Sequence, residues 1–505
     1  MTKAAGGTIL PNLVTDMPEG PLRLQVYRRI REGILQGRIA AGTRLPSTRT
    51  LATDIGVSRN TTEEAYAQLE AEGFLSRKVG SGTYVSSVFP DFLPIARKRV
   101  RAHAAQASVK DLSERGRLIA MSSACSEPTA VLPFVAGAPD YDAFPFDIWN
   151  RLLIRRTRES GKELLQYGEP AGLRELREAV AGYVATSRGV LCEPRQVIIL
   201  TSSQQALDLC ARLLIDPGDE VWMEEPGYPG AAAALQSAGA KLALVPVDEA
   251  GLDVDRGIAR APRARLAYVT PSHQYPLGVT MQLERRLALL EWARSTGGWI
   301  LEDDYDSEFR YAGNPHAAIQ GLREGSRVFY IGTFTKVMFP SLRIAYLIVP
   351  DGLADAFANA RAQVDGHTPT LSQAALADFI AEGHFGAHLR RMRSLYRGRR
   401  DVLVDSLQRH CGDALTIGQS DCGLHVTAFY RRGTNDRAVS ARARELGIEV
   451  QPLSRFYRGK ESRPGAVLGY SALERSAIVR GARLLAQALA GVRPQAAGRR
   501  STVDG

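Results

Sequence analysis

Cysteine is scarce in this sequence: five residues in 505, at Cys125, Cys192, Cys210, Cys411 and Cys422. The number is odd and no two form a C-x-x-C pair, which argues against a disulfide framework and against a cysteine zinc site. They read as core fillers. Long hydrophobic runs are missing too. No stretch of about 18 apolar residues occurs, so no membrane span is expected. The opening MTKAAGGTILPNLVTDMPEG lacks the charged-then-apolar pattern of a secretory signal, and a cytoplasmic protein is expected. A metal motif is also lacking. His384 and His388 stand four apart in EGHFGAHLRR, but no glutamate follows His384, Gly386 weakens the helix and no third ligand is evident. No metal site is expected.

What is present is an ordinary globular composition, 45% hydrophobic and 23% charged, in a chain long enough for two or more domains. The net charge is +10, and it is uneven. Residues 1–130 hold 18 Lys/Arg against 12 Asp/Glu, so +6 of the +10 falls in the first quarter. Basic charge concentrated in one segment points to a polyanion partner.

Residues 21–88 carry the local signals of a small helical domain, after a tail at 1–20. Tyr27, Ile30 and Ile34 recur at helical spacing in LQVYRRIREGILQG, which stops at Gly37. Ser47 can cap a short helix that carries Leu51 and Ile55 and ends at Gly56. Ser58 can cap a third helix, RNTTEEAYAQLEAEG, with Tyr66 and Leu69 facing inward. Two helices joined by so short a turn make a helix-turn-helix. Ser58, Arg59, Asn60 and Thr61 then stand on the helix start that meets base edges and phosphates. FLSRKVGSGTYVSS alternates like a hairpin, with Gly80-Ser81-Gly82 at its tip and Arg77-Lys78 beside it, which reads as a wing.

The string GTRLPSTRTLA, GVSRNT, AYAQLEAEGFL and GSGTYV resembles the winged-helix module of the GntR family over about 65 residues. That resemblance implies contacts to double-stranded DNA from Arg44, Ser47, Thr48 and Arg49 around the second helix. It implies them also from Ser58, Arg59, Asn60 and Thr61 on the third helix, and from Lys78, Gly80 and Gly82 in the wing. Residues 89–130 show no sustained period and read as a linker. Its cluster Arg97, Lys98, Arg99 and Arg101 suits either a solvated tether or sequence-blind contact with the DNA backbone.

From 131 to 490, before a tail at 491–505, helices alternate with short β-rich runs: RQVIILTS, DEVWMEE, KLALVPV, RLAYVTP, GWILEDD, RVFYIGTF and IAYLIV. This alternation predicts an α/β domain with a largely parallel sheet, which binds ligands beyond the carboxyl ends of its strands. Chemistry-bearing residues fall at those ends. Asp303 and Tyr305 follow GWIL. Thr333, Thr335 and Lys336 follow VFYIG, with Arg343 seven residues on. Ser202, Ser203 and Gln204 open a helix after VIIL, and Tyr228 follows VWMEEPG.

This set suits pyridoxal 5'-phosphate. Its aldehyde needs an amine, which Lys336 supplies. Its ring nitrogen needs a carboxylate, Asp303. Its ring oxygen needs a donor, Tyr305, and its face a flat partner, Tyr228. Its phosphate needs hydroxyls, helix amides and a cation, from Ser202, Ser203, Gln204, Thr333, Thr335 and Arg343.

EEPGYPG, TPSHQYPLG, LEDDYDSEFRY and TFTKVMFPSLRIAYLIVP together resemble class I aminotransferases of the fold-type I pyridoxal phosphate family. A GntR-type winged helix followed by such a domain is the signature of MocR-type transcriptional regulators. That resemblance implies a homodimer, and an aminotransferase-like part that senses an amine, an amino acid or pyridoxal phosphate itself. It implies that Tyr167 reaches the neighbouring subunit's cofactor phosphate. Two positions depart from the pattern. Tyr275 stands where aminotransferases place an asparagine, and Gly230 where an amino-acid-sensing relative places an arginine. Arg455 in PLSRFYRG is the remaining candidate for gripping an effector carboxylate. The alternative reading is a working aminotransferase with an accessory DNA module, because Lys336, Asp303, Tyr305 and Arg343 are all intact.

Overall fold

The computed structural model describes residues 20–78, 80–86, 108–121, 132–313, 316–460 and 462–492. The chain divides into two compact units, residues 1–108 and 109–505. The linker cluster at Arg97, Lys98, Arg99 and Arg101 lies outside the described residues.

The first unit is a winged helix-turn-helix, as its sequence predicts. Helices Leu22–Leu35, Thr48–Ile55 and Arg59–Ala71 precede a hairpin of strands β1 (Leu75–Lys78) and β2 (Gly82–Val85). Both predicted caps form: Ser47 Oγ accepts the Thr50 N–H and Ser58 Oγ accepts the Thr61 N–H, each at 3.1 Å. Gly56, at φ 70°, ends the second helix in the left-handed conformation that a side chain resists. Val26, Ile30, Leu51, Ala65, Tyr66 and Leu69 are buried among the three helices. The Tyr66 hydroxyl donates to the Pro46 carbonyl at 3.1 Å and locks the turn over the core.

The second unit holds a mixed eight-stranded sheet. Its strands are β3 (Val197–Leu200), β4 (Glu220–Glu225), β5 (Lys241–Asp248), β6 (Gly251–Leu252), β7 (Leu266–Val269), β8 (Trp299–Asp304), β9 (Val328–Thr333) and β10 (Ala345–Ile348). The order is β3-β10-β9-β8-β7-β4-β5-β6. Strands β9, β8, β7, β4 and β5 run parallel, while β10 and β6 run antiparallel to their neighbours. Val197–Leu200 is buried at every position, as a strand covered on both faces requires.

A second sheet was not legible in the sequence. It is antiparallel, ordered β11-β12-β14-β13, from β11 (Leu415–Ile417), β12 (His425–Tyr430), β13 (Gln451–Pro452) and β14 (Gly465–Gly469). Part of the segment read as linker is also built into the second unit. Residues Val109–Asp111 form a 3-10 turn, and helix Glu114–Met121 lies against helix Pro229–Ser237.

Candidate functional site

The strand ends converge on a cleft of about 880 Å³. It is lined by Ser202, Ser203, Gln204, Tyr228, Asp303, Tyr305, Thr333, Thr335, Lys336, Arg343 and Arg455, eleven of the twelve residues singled out in this unit. The twelfth, Tyr167, is outside this lining and 99% exposed, its ring edge-on to His367 at 6.2 Å.

Strand alternation decides between the two adjacent aspartates. Successive side chains on β8 point to opposite faces. Asp303 points to the cleft, where its Oδ2 accepts from the Tyr268 hydroxyl at 2.9 Å. Asp304 points the other way, to Arg188 at 2.8 Å and the Tyr330 hydroxyl at 2.6 Å. The second carboxylate is thus spent on a buried ion pair. Asp303 Oδ1 is buried with no hydrogen-bond partner among the described residues. Burial pushes the Asp303 carboxyl up to about 7; the Tyr268 hydroxyl opposes the shift, and Asp304 and Asp306 add to it.

Helix Ser203–Leu214 aims its N-terminus at the cleft. The Ser202 hydroxyl accepts the Gln205 N–H at 3.1 Å as its cap. The amides of Ser203 and Gln204 are first-turn N–H groups without intrahelical partners, placed to meet an anion. Across from them the Thr333 hydroxyl accepts the Thr335 N–H at 3.1 Å, which folds the turn that presents Lys336. Arg343 has φ 52°, a strained conformation for a non-glycine residue, directly after the 3-10 turn Pro340–Leu342.

Two glycines hold the walls. A Cβ on Gly137 would come within 3.0 Å of Lys336 Nζ, and one on Gly230 within 2.5 Å of the Tyr228 ring. Gln204 Nε2 donates to the Gly230 carbonyl at 3.0 Å. No side chain fits at Gly230 unless Tyr228 moves, so the position of the missing arginine is filled by the tyrosine itself.

Sequence reasoning missed several lining residues: Tyr268, Asp306, His425, Gln451 and Phe456. Tyr275 faces Tyr228, Tyr305, His425 and Phe456 edge-on, with ring centroids 5.2–5.9 Å apart. Its hydroxyl donates to Gln451 Oε1 at 3.2 Å. The alternation of RLAYVTP could have flagged Tyr268, which shares a sheet face with Asp303. The β12 residues carry no comparable signal. His273, Asp306 and His425 place donor atoms within 4.8 Å of one another. The His384 and His388 pair diverges: His388 Nε2 lies 2.9 Å from the Val337 carbonyl and His384 Nε2 3.3 Å from Glu382.

In the first unit, Arg44, Ser47, Arg49, Ser58, Arg59, Asn60, Lys78, Gly80 and Gly82 are exposed, and Thr48 and Thr61 half-buried. Thr48 Oγ1 donates to Glu63 at 2.8 Å, which ties the second helix to the third. Arg77 is paired with Glu63 and Glu70 at 3.1 and 2.9 Å, so its charge braces the wing. Arg44 lies over Gly82, where a Cβ would meet its Nε at 2.9 Å.

Residues 129–463 match the family Aminotransferase class I and II, and residues 22–85 match bacterial regulatory proteins of the gntR family. The "Probable rhizopine catabolism regulatory protein MocR" of Rhizobium meliloti is 45% identical over 90% of this chain and 91% of its own length. The HTH-type pyridoxine biosynthesis transcriptional regulator of Corynebacterium glutamicum is 32% identical over 88% of this chain and 91% of its own. The solved structure of an alpha-aminoadipate aminotransferase from Thermus thermophilus, complexed with N-(5'-phosphopyridoxyl)-L-leucine, covers 76% of this chain and 95% of its own. It superimposes with a TM-score of 0.67 at 29% identity.

Proposed function

Because this chain belongs to the MocR-type regulators, in which a gntR-family winged helix is fused to a class I and II aminotransferase domain, we propose that it binds promoter DNA under the control of pyridoxal 5'-phosphate and an amine effector. The carrying observation is the single cleft that gathers an amine, an unsatisfied buried carboxylate oxygen and a helix N-terminus flanked by hydroxyls and an arginine. The residues fit the cofactor. Asp303 Oδ1 lacks a donor that a ring nitrogen would supply. Gly137 leaves the Lys336 amine room that any side chain would take.

When bound, pyridoxal phosphate supplies an aldehyde that condenses with amines and a ring that withdraws electrons. Lys336 holds the aldehyde and is the contact for which an amine effector competes. Asp303 holds a proton on the ring nitrogen, and Tyr228 covers the ring face. Ser203, Gln204, Thr333, Thr335 and Arg343 receive the phosphate. With Gly230 blocked, a carboxylate on the effector falls to Arg455, which lines the same cleft. Amine binding favours one state of the large unit, and that energetic preference is what DNA binding reads.

The chain acts as a homodimer in this reading. Tyr167 and Leu165, 99% and 85% exposed, offer apolar surface to a second copy, whose cleft Tyr167 completes. The domain boundaries follow: a DNA module over 21–88, a tether over 89–130 that docks by residues 109–121, and an effector domain over 131–490. Residual transamination is the second reading, because Lys336, Asp303, Tyr305 and Arg343 all line the cleft, although Tyr275 stands there where aminotransferases place an asparagine.

The deciding experiment is footprinting of DNA around the protein's own gene, with and without pyridoxal phosphate and candidate amines. Protection that responds to both ligands is expected. No protection under any condition refutes the regulator. Sustained turnover of an amino donor and a keto acid, lost in Lys336→Ala, would establish the enzyme instead.

A further inference from the structure

Two side chains that this reading leaves idle stand behind Tyr305. His273 Nδ1 lies 2.9 and 3.1 Å from the two carboxylate oxygens of Asp306, and 3.0 Å from the Tyr305 hydroxyl. Asp306 Oδ2 also accepts the Leu424 N–H at 3.1 Å. Both side chains are 1% exposed. One nitrogen therefore faces three oxygens, two of a carboxylate and one of a hydroxyl, and only one protonation pattern satisfies the group. A carboxylate has no proton to give, so the contact with Asp306 requires the proton to sit on His273 Nδ1. An Nδ1 that bears a proton has no lone pair to offer. The Tyr305 hydroxyl cannot donate to it, and can only accept the forked N–H. Its own proton must turn elsewhere, and Tyr305 lines the cleft.

The surroundings point the same way. His425 Nε2 lies 3.1 Å from the Pro276 carbonyl, an acceptor, so His425 carries its proton there. Burial, the neighbouring His273 and, across the cleft, Lys336 hold the His425 pKa well below its ordinary value. The other groups facing Tyr305 and His273 are Tyr275, Tyr268 and Cys422, none of which supplies a competing cation. The backbone is shaped to seat the pair. Gly423 has φ 83°, and a Cβ there would fall 1.9 Å from His273 Cε1 and 2.7 Å from Asp306 Oδ2. The Tyr311 and Tyr470 hydroxyls grip its carbonyl at 2.7 and 2.6 Å.

We propose that His273 is a positioning residue: with Asp306 it fixes the Tyr305 hydroxyl as a proton donor aimed into the cleft, at the ring oxygen of a bound pyridoxal-type aldehyde. The proposal rests on the cofactor reading above and adds to it what directs the Tyr305 proton. It also assigns the pairing of His273 Nδ1 with Asp306, within the His273, Asp306 and His425 grouping, to proton placement; a metal ion on the same atoms would compete with it.

The test has a cofactor-free arm and a loaded arm. In the cofactor-free full chain with isotope-labelled histidine, nuclear magnetic resonance is expected to show, besides His367, whose Nδ1 faces the Thr368 carbonyl at 3.0 Å, a second imidazole in the Nδ1–H form with a downfield proton. The signal disappears in His273→Leu and in Asp306→Leu. In the loaded chain, His273→Leu weakens pyridoxal phosphate binding by about tenfold, the scale of one hydrogen bond to a charged group. It also shifts the visible band of the bound cofactor to match Tyr305→Phe. His273→Asn, whose amide can place an N–H where Nδ1 stood, restores both. Adding His273→Leu to Tyr305→Phe weakens binding no further.

An Nε2–H ring at His273, or losses that add in the double variant, would overturn the proposal. So would tight zinc binding by the cofactor-free chain that His273→Leu abolishes. A missing visible band in the unaltered protein refutes the cofactor reading itself, and the dyad then stands or falls on the resonance alone.

Discussion

Replacing Asp303 by asparagine is expected to stabilise the cofactor-free protein and cripple its cofactor binding at once. The wild-type carboxyl is 4% exposed and pushed up to about 7 from 3.8, chiefly by burial. Between those values the folded state keeps a proton that the unfolded state has lost. Stability therefore falls as pH rises through this window, and the loss is complete above about pH 7. At about 1.4 kcal/mol for each tenfold, the gap corresponds to roughly 4 kcal/mol at about pH 8, and roughly 2 kcal/mol less at about pH 5.5. Asparagine carries no such penalty and keeps an oxygen for the Tyr268 hydroxyl. Cofactor-free Asp303→Asn should thus gain on the wild type by a few kcal/mol near pH 8, and by clearly less near pH 5.5. Denaturant unfolding followed by tryptophan fluorescence reports it cleanly, because all four tryptophans lie in the second unit. The same variant should bind pyridoxal phosphate at least about a hundredfold more weakly, since a charge-assisted hydrogen bond is lost at a buried site. A variant destabilised equally at both pH values, or one that binds the cofactor unchanged, refutes the role given to Asp303.

Lys336→Ala should lose the visible band of bound pyridoxal phosphate and keep DNA binding, but that binding should no longer respond to amines; absorbance and gel-shift titrations check this. Arg59→Ala, on the exposed start of the third helix, should weaken site-specific DNA binding by about tenfold or more and flatten its salt dependence, read by titration at two ionic strengths. Gly230→Ala places a methyl 2.5 Å from the Tyr228 ring and should cost about 1–3 kcal/mol in stability by overpacking, with weaker cofactor binding in parallel. Tyr167→Ala, at a fully exposed ring, should change the stability of the isolated chain by less than about 0.5 kcal/mol. It should nevertheless lower cofactor affinity in proportion to the dimer present, which sedimentation and binding assays measure together.

Local signals carried much of this molecule into view. The caps Ser47 and Ser58 form because short hydroxyls before a helix satisfy its free amides, a rule that operates over three residues. Seven of the eight strands of the large sheet were legible because buried strands are dense in β-branched and aliphatic residues whatever their neighbours; the two-residue β6 was not. Strand ends then located Lys336, Asp303 and Thr333 without knowledge of the loops between them. The second sheet escaped because its identity depends on distant pairing. Gln451–Pro452 is two residues long and exists as a strand only against Val467 and Ala466.

Distance in sequence also hid the support of the site. Tyr268 and Asp303 are 35 residues apart and meet only because β7 and β8 are neighbours. His273 stands within TPSHQYPLG, a stretch that resembles a family motif, yet no local pattern says what its ring does. That depends on Asp306 from the end of β8 and on Gly423 from the start of β12. Three chain segments must be packed before the imidazole has a single allowed proton. A lysine after a strand announces chemistry on its own. A proton-orienting histidine does so only through its partners, so the first is read from sequence and the second only from the fold.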